Sequence, residues 1–430
     1  MRQGEGDTIF ALSSGAPPAG IAVVRISGGQ ARAALAALAR RVPPPRTASL
    51  ALLKDPRDDN PLDRALLLWL PGPHTVTGED MAELHCHGGR AVVAAVEDAL
   101  GAMPGLRRAE AGEFTRRAFA HGRMDLNAVE GLSDLLAAET QSQRRAALLM
   151  AEGHFSRRID GWRDELLTLS AMAEAALDFS DEDDVPDTAI EARIGKGITA
   201  LAQDVAAILA APSAERLRDG VRVVLAGPPN AGKSTLLNAL VGREAAIVSD
   251  IAGTTRDRIE VPAAIGGTAF LFTDTAGLRG ETGDAIEAIG IDRARAALAA
   301  ADIILWLGDA TGLPRADAIL IAAQSDRADK DRPGLSLSAR TGEGMPALVD
   351  MLRSRAAALL PGEGDYALHA RQKQRVGQLL DHLDAARATP DLLVAAEELR
   401  LARAAIDALT GQAGTEDMLD RLFSGFCIGK

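Results

Sequence analysis

One octapeptide limits what this chain can fold into more than any other feature of it. Gly227-Pro228-Pro229-Asn230-Ala231-Gly232-Lys233-Ser234 fits G-x-x-x-x-G-K-[ST] in full. It follows the apolar run Val221–Ala226 and opens into the helical pattern Thr235–Leu240, so it reads as the turn between a buried strand and a helix. Its glycines let backbone N–H groups turn inward around phosphates. Lys233 adds a positive charge at the β- and γ-phosphates, and the helix N-terminus adds the positive end of its dipole. The Ser234 hydroxyl is placed to ligate Mg²⁺. A nucleoside triphosphate is the expected ligand.

The text around this loop alternates strand and helix. Ala269–Thr273, Ile303–Leu307 and Ile319–Ala322 are apolar runs of strand length, separated by the helical patterns Ile289–Ala300 and Met345–Leu359. Such alternation predicts a parallel sheet covered on both faces, in a domain spanning 216–362. On either side the period is helical. Leu132, Leu135 and Leu136 begin it, Trp162, Leu166 and Leu169 continue it, and Leu379, Leu383, Leu392 and Leu399 resume it after the sheet domain. The acidic stretch Asp181–Asp187 interrupts the first block. A helical domain, 121–215 and 363–430, is therefore expected to be split by the inserted α/β domain. Residues 1–120 read as α+β. Ile9–Leu12, Ile21–Ile26, Ala65–Leu70 and Met81–His87 look like strands, Gln30–Arg40 and Arg90–Leu100 like helices.

Further parts of a nucleotide site follow the loop in order. Gly253-Thr254-Thr255 supplies hydroxyls that can close over Mg²⁺ and the γ-phosphate; Asp274-Thr275-Ala276-Gly277 follows a strand, with a carboxylate for Mg²⁺ and an N–H for the γ-phosphate. Each alone would be an ordinary turn; their order behind a phosphate loop makes them a set. Guanine-specific proteins of this kind carry Asn/Thr-Lys-x-Asp after a strand. Here the place reads Ala323-Gln324-Ser325-Asp326, which keeps only the aspartate that accepts from guanine N1 and N2; Asp329-Lys330 is a rival frame further from the strand. Ser338-Ala339-Arg340 suits the second base-contacting loop. GTP is favoured over ATP, with weaker base discrimination or affinity.

Composition excludes some alternatives. Aromatics are 3% of the 430 residues, too few for single-strand stacking platforms to be the main activity. The net charge of −13 does not suit a chain spread over a phosphate backbone; a nucleic-acid substrate would need a local basic patch or a partner. Two distant cysteines, Cys86 and Cys427, make no disulfide framework. No apolar run approaches the length of a membrane span. A soluble, cytoplasmic protein is expected. His85 and His87 would share one strand face around Cys86, but no second cluster completes a metal site.

Three segments together resemble a known family. The phosphate loop, Ala246-Ile247-Val248-Ser249-Asp250-Ile251-Ala252-Gly253-Thr254-Thr255-Arg256-Asp257, and Asp274–Arg279 look like the TrmE–Era–EngA GTPases. Val24-Arg25-Ile26-Ser27-Gly28, Gly78-Glu79-Asp80 and the terminal Phe426-Cys427-Ile428-Gly429-Lys430 extend the resemblance over the whole chain, toward the branch that modifies tRNA. The resemblance implies a multidomain α/β and α protein. An N-terminal α+β tetrahydrofolate-binding and dimerisation domain is followed by a helical domain interrupted by a Ras-like P-loop G domain.

It also implies GTP hydrolysis with Mg²⁺ and K⁺, coupled to modification at C5 of the tRNA wobble uridine. The one-carbon unit comes from 5-formyl- or 5,10-methylene-tetrahydrofolate, and a homodimer works with an FAD-dependent partner as a heterotetramer. Carried over by residue, the nucleotide is held by Asn230, Ala231, Gly232, Lys233, Ser234 and Thr235, by Ser249, Thr254 and Thr255, by Asp274, Thr275, Ala276 and Gly277, and by Asp326, Ser338, Ala339 and Arg340. Mg²⁺ falls to Ser234 and Thr255, and K⁺ to Asn230, Ser249, Ile251 and Thr254. Glu287 orients the attacking water; Lys233 and Cys427 complete the catalytic set. Folate contacts fall on Arg25, Glu83, Arg123 and Lys430, with Arg123 standing where the family often has Lys.

Two other readings compete with it. A nucleotide-state switch acting on RNA or a ribosomal particle would have the same G domain, but should carry a basic RNA-binding module, which this sequence lacks. A folate-dependent transferase with a vestigial G domain would explain the altered Ala323–Asp326 loop, but not the intact phosphate loop.

Overall fold

The computed structural model describes residues 6–178, 187–212, 214–246, 260–275, 284–327, 332–362, 364–411 and 416–430. The chain divides into two units, 1–133 with 410–430, and 134–409. No described helix is long and apolar enough to cross a membrane.

In the first unit β2, β4 and β5 alternate along part of their length between buried and more exposed residues, as half-buried strands do. β1 (Thr8–Leu12), β2 (Ala19–Ser27), β3 (Ser49–Lys54), β4 (Pro61–Leu70), β5 (Met81–Gly88) and β6 (Leu106–Arg108) form one sheet in the order β3-β4-β5-β2-β1-β6. Every pair is antiparallel except β1 with β6. Helices α1 (Ala31–Ala39) and α2 (Arg90–Gly101) cover one face. There Val24, Ile26, Leu67, Trp69, Leu84 and Cys86 pack with Leu35, Leu38, Val96 and Leu100. β3 and β6 carry no clear alternation in the sequence and were not expected. α3 (Glu113–Ala120) and α4 (Leu126–Ala137) follow. The C-terminal helix, Glu416–Ser424, joins Phe423 and Phe426 to Val129 in a small core.

The second unit has two cores. One is a helical bundle: α5 (Gln141–Ala151), α6 (His154–Asp178) and α7 (Asp187–Leu209), then, beyond the sheet, α12 (Ala370–Ala388) and α13 (Leu392–Thr410). Phe155, Trp162, Leu166, Ile198, Leu379 and Leu399 fill it at helical spacing. The acidic break expected at Asp181–Asp187 falls almost wholly outside the described residues.

The other core belongs to a sheet preceded by α8 (Ala214–Asp219). Its elements are β7 (Val221–Ala226), α9 (Lys233–Glu244), β8 (Ala245–Ala246), β9 (Glu260–Ile265), β10 (Thr268–Asp274), α10 (Asp284–Ala300), β11 (Ile303–Trp306), β12 (Ile319–Ala322), β13 (Leu335–Ser336) and α11 (Met345–Ala357). The order is β13-β12-β11-β7-β10-β9-β8. β13, β12, β11, β7 and β10 run parallel, as the alternating text predicts. β9 and β8 add an antiparallel edge. β9 is not among the strands expected from the sequence, and it contains Pro262. The proline is tolerated near the edge, where one ladder bond can be lost. Gly266 and Gly267 both take positive φ in the turn that joins β9 to β10. Val221, Val223 and Leu225 face one layer with Leu236, Leu240, Leu348 and Leu352. Val224 and Ala226 face the other with Ala297, Leu298 and Ile304.

A capping box fastens the two cores. Thr140 accepts from the Gln143 N–H, and Gln143 Oε1 accepts from the Thr140 N–H at 2.8 Å. The same Gln143 donates through Nε2 to the carbonyls of Leu217 and Arg218 at 3.0 and 3.2 Å, just ahead of β7. Ser142 donates to the Gly267 carbonyl at 3.0 Å.

Candidate nucleotide site and the open sheet face

The phosphate loop sits at the carboxyl end of the central strand β7, where ligands of open α/β sheets bind. Gly227 has φ 149°. A Cβ there would stand 3.0 Å from the Leu307 carbonyl, so only glycine lets β7 and the end of β11 approach this closely. Lys233 is buried at the head of α9, and its ammonium donates to the carbonyls of Gly227 and Pro228 at 3.0 and 2.9 Å. These bonds hold the charge inside the cradle that a phosphate would enter. Register places Asp274 beside Leu225, and Ser234 Oγ donates to Asp274 Oδ2. A hydroxyl and a carboxylate 40 residues apart in sequence therefore converge. Hard oxygen donors of this kind suit Mg²⁺. Thr275 is tied to the Leu225 carbonyl through both its N–H and its hydroxyl. A cavity of about 580 Å³ opens beside Gly227, Asn230, Lys233 and Thr275, with Trp306 and Asp309 also lining it.

The residues expected to contact a base assemble nearby. Ser338 Oγ donates to Asp326 Oδ1 at 2.7 Å, and the Ser325 N–H is fixed to the Leu337 carbonyl at 3.1 Å. The Ser338 hydroxyl, with smaller help from the backbone and the charges of Arg327 and Arg340, holds the Asp326 carboxyl below its ordinary range. The carboxylate is thus ionised and oriented as an acceptor. A cavity of about 280 Å³ is lined by Gly232, Thr235, Gln324, Asp326, Ala339 and Arg340.

Of the residues named from sequence, the structure thus gathers Asn230–Thr235, Asp274, Thr275, Asp326 and Ser338–Arg340. Ser249, Ile251, Thr254, Thr255, Ala276 and Gly277 lie outside the described residues, as does the Asp329-Lys330 frame. Glu287 lies in the first turn of α10, which begins earlier than Ile289; its side chain is outside what is described. Gln324 was noticed only as a departure from a motif. Its place in the base cavity is visible only in three dimensions.

The N-terminal sheet carries a second constellation on the face opposite its helices. Leu50 pairs with Leu66, Leu66 with His85, His85 with Val23, and Arg25 with Glu83. All of these therefore point the same way. Arg25 donates to Glu83 Oε1 through Nε and Nη2 at 3.1 and 3.0 Å, and its guanidinium lies 5.9 Å from the Phe114 ring centre. The chain end comes close: Ile428 bridges to Ala111, and Gly429 packs on the Leu12 carbonyl so tightly that a Cβ would be 2.1 Å from it. Leu12 adjoins Ala11, the register partner of Arg25. Cys427 is exposed. Arg123 instead donates to the Thr75 carbonyl at 3.2 Å, in the loop leading to Gly78.

Cys86 points to the buried face, where burial and the charge of Asp63 push its thiol up to about 12. His85 bonds Glu83 and His87 bonds Asp63. Among the described residues no His/Cys/Asp/Glu group could hold a metal ion. Sequence reading also missed a charged cavity of about 990 Å³ near Glu79, Arg107 and Arg117. In it Glu79 accepts from Ser27 and Arg117.

Two family profiles match the chain. One, described as GTP-binding protein TrmE N-terminus, matches residues 8–123; the other, MnmE helical domain, matches residues 126–427. The chain is similar to a tRNA modification GTPase MnmE of Rhizorhabdus wittichii, 62% identical over 99% of this chain and 97% of the relative. It is similar to another of the same name from Erythrobacter litoralis, 58% identical over 99% of this chain and 100% of that one. Among solved structures it is similar to the G domain of the T. maritima FeoB iron transporter, 25% identical over 32% of this chain and 98% of that chain, with a TM-score of 0.23.

Proposed function

The chain belongs to the MnmE family of tRNA modification GTPases, and we propose that it hydrolyses GTP at the phosphate loop and spends that hydrolysis on tRNA modification. The observation that carries this reading is the convergence of Lys233, Ser234 and Asp274 at the head of α9, with the Asp326–Ser338 pair in the adjoining base cavity. The loop N–H groups and Lys233 bind the β- and γ-phosphates, and ionised Asp326 accepts from the guanine edge. Ser234 and Thr255 would hold Mg²⁺, with Asp274 against Ser234, and Asn230, Ser249, Ile251 and Thr254 would hold K⁺. Both ions supply positive charge where negative charge grows on the phosphates. Glu287 orients the water for attack.

The modification half of the reading rests on the open sheet face. The paired Arg25 and Glu83, with the terminal Cys427–Lys430 segment nearby, suit a ligand that joins a donor-rich pterin edge to an acidic tail. That supports 5-formyl- or 5,10-methylene-tetrahydrofolate as the bound one-carbon carrier, with Arg123 and Lys430 adding charge. Leu50 (55% exposed), Leu52 and Leu66 leave the same face apolar and bare. A second copy of the chain covering it accounts for that exposure. An FAD-dependent partner and Cys427 then complete the transfer to C5 of the wobble uridine in cytoplasmic tRNA.

Steady-state turnover of GTP and ATP in KCl and NaCl, at several protein concentrations, tests the hydrolytic half. Turnover of GTP that needs K⁺ and rises per molecule with concentration is expected. Equal rates in both salts would remove the Asn230 cage, and ATP turnover matching GTP would remove Asp326 as the guanine selector.

A further inference from the structure

Five non-glycine residues among those described take a left-handed backbone; Arg40 and Asp59 form an ion pair on the N-terminal sheet unit, and two others meet at the nucleotide site. They are Asn230, φ 62°, in the phosphate loop, and Gln324, φ 63°, in the base loop. Gln324 Nε2 stands 3.5 Å from the Asn230 carbonyl oxygen, across 94 residues of sequence. Asn tolerates this conformation in turns, whereas Gln adopts it rarely. Gly232 borders the contact: a Cβ there would lie in ordinary van der Waals contact with the same Nε2, at 3.5 Å. The contact also stands between the two cavities of the site. Asn230 lines the larger, with Lys233 and Thr275; Gln324 lines the smaller, with Asp326 and Arg340.

A planar trans peptide points its N–H opposite to its C=O. Bracing the Asn230 carbonyl from the base side therefore aims the Ala231 N–H the other way, into the loop. That N–H faces the Pro228 carbonyl at 3.4 Å, inside the turn where an anion would be bound.

We propose that Gln324 is a positioning residue of the nucleotide site: its side-chain amide braces the Asn230 carbonyl and so aims the Ala231 N–H at the nucleotide phosphates. The proposal rests on the nucleotide reading above. Gln324 acts through the loop and not on the base, so it governs affinity for the diphosphate while Asp326 governs which base is chosen.

Equilibrium binding of GDP to the full chain with Mg²⁺ tests this. Gln324→Met keeps length and neutrality but has no donor; Gln324→Lys restores a donor. Measured at high salt, where general attraction is screened, the methionine variant is expected to bind GDP roughly threefold to tenfold more weakly, the worth of one hydrogen bond. The lysine variant should recover wild-type affinity. In turnover, KM for GTP should rise in Gln324→Met more than kcat falls, and its preference for GDP over XDP should not change. A methionine variant that binds GDP as well as the wild type, or a lysine variant no better than the methionine one, would overturn the brace. Wild-type protein that binds no GDP at all would instead sink the nucleotide reading, and the brace with it.

Discussion

The two sheets of this molecule solve opposite problems. The sheet around β7 is packed on both faces, by Leu236 and Leu348 on one side and by Leu298 on the other. Nothing is left to bind on its faces, so its chemistry gathers at strand ends: Gly227 after β7, Asp274 at the end of β10, Asp326 just beyond β12. The N-terminal sheet carries its helices on one face, and on the other Ile9 and Ala11 of β1 are packed by Ala109 and Phe114. That second face also presents Leu50, Leu66 and the Arg25–Glu83 pair, with Ile21 62% exposed. A strand-end site is built on one continuous turn, to which neighbouring strand ends add single residues such as Asp274. A face site is built across strands, and an apolar face left bare is complete only when something covers it.

Two experiments would break that comparison most directly. Lys233→Ala removes the charge held against the Gly227 and Pro228 carbonyls. GTP turnover should fall by about two to three orders of magnitude, with the folate binding proposed for the sheet face untouched. Normal turnover would mean the phosphates do not lie at this strand end. The converse change is Leu50→Asp with Leu66→Asp, which puts charge on the bare face at two positions directly opposite each other. Sedimentation should show the dimer weakened at least roughly tenfold, and 5-formyl-tetrahydrofolate binding should weaken with it. GDP affinity should stay within about twofold, since neither residue lines the cavities of the nucleotide site and residues that share no partner act independently. A dimer that survives both substitutions would place the interface elsewhere.

The same contrast explains what could be read from the sequence. Gly227–Ser234 is contiguous, and the runs Val221–Ala226 and Ile319–Ala322 match β7 and β12 to the residue. The phosphate loop is linear text, because the turn that makes it is one stretch of chain. β9 contains Pro262, which strands disfavour, and β3 has Leu50 and Leu52 outside as well as Leu53 inside. Burial on one face only, with apolar residues on the other, erases the alternation that marks a strand. The Arg25–Glu83 pair lies 58 residues apart; only register joins them, and before that only family resemblance suggested it. Gln324 could not be found from sequence at all. Its motif position argued that it was a loss, and its left-handed backbone and its reach to Asn230 have no sequence signal.

The smallest expected effect tests how finely the strand-end site is tuned. Asp326 accepts from the Ser338 hydroxyl, and that bond is the largest cause of its lowered pKa. A carboxylate must be ionised to accept from guanine N1 and N2, so GDP binding is retained above the folded carboxyl's value and lost as pH falls through it. Ser338→Ala takes away the bond that favours the ionised form, and the value rises toward the ordinary 3.8 of an aspartate. At neutral pH the carboxyl stays ionised in both proteins, and affinity should drop by no more than about threefold, from lost orientation alone. The acid limb of binding is the sensitive part: its midpoint should move to higher pH in the variant, with far-UV circular dichroism confirming that both proteins are still folded there. Coincident acid limbs would mean that guanine is read by something other than Asp326, and the second base-contacting loop would lose its role.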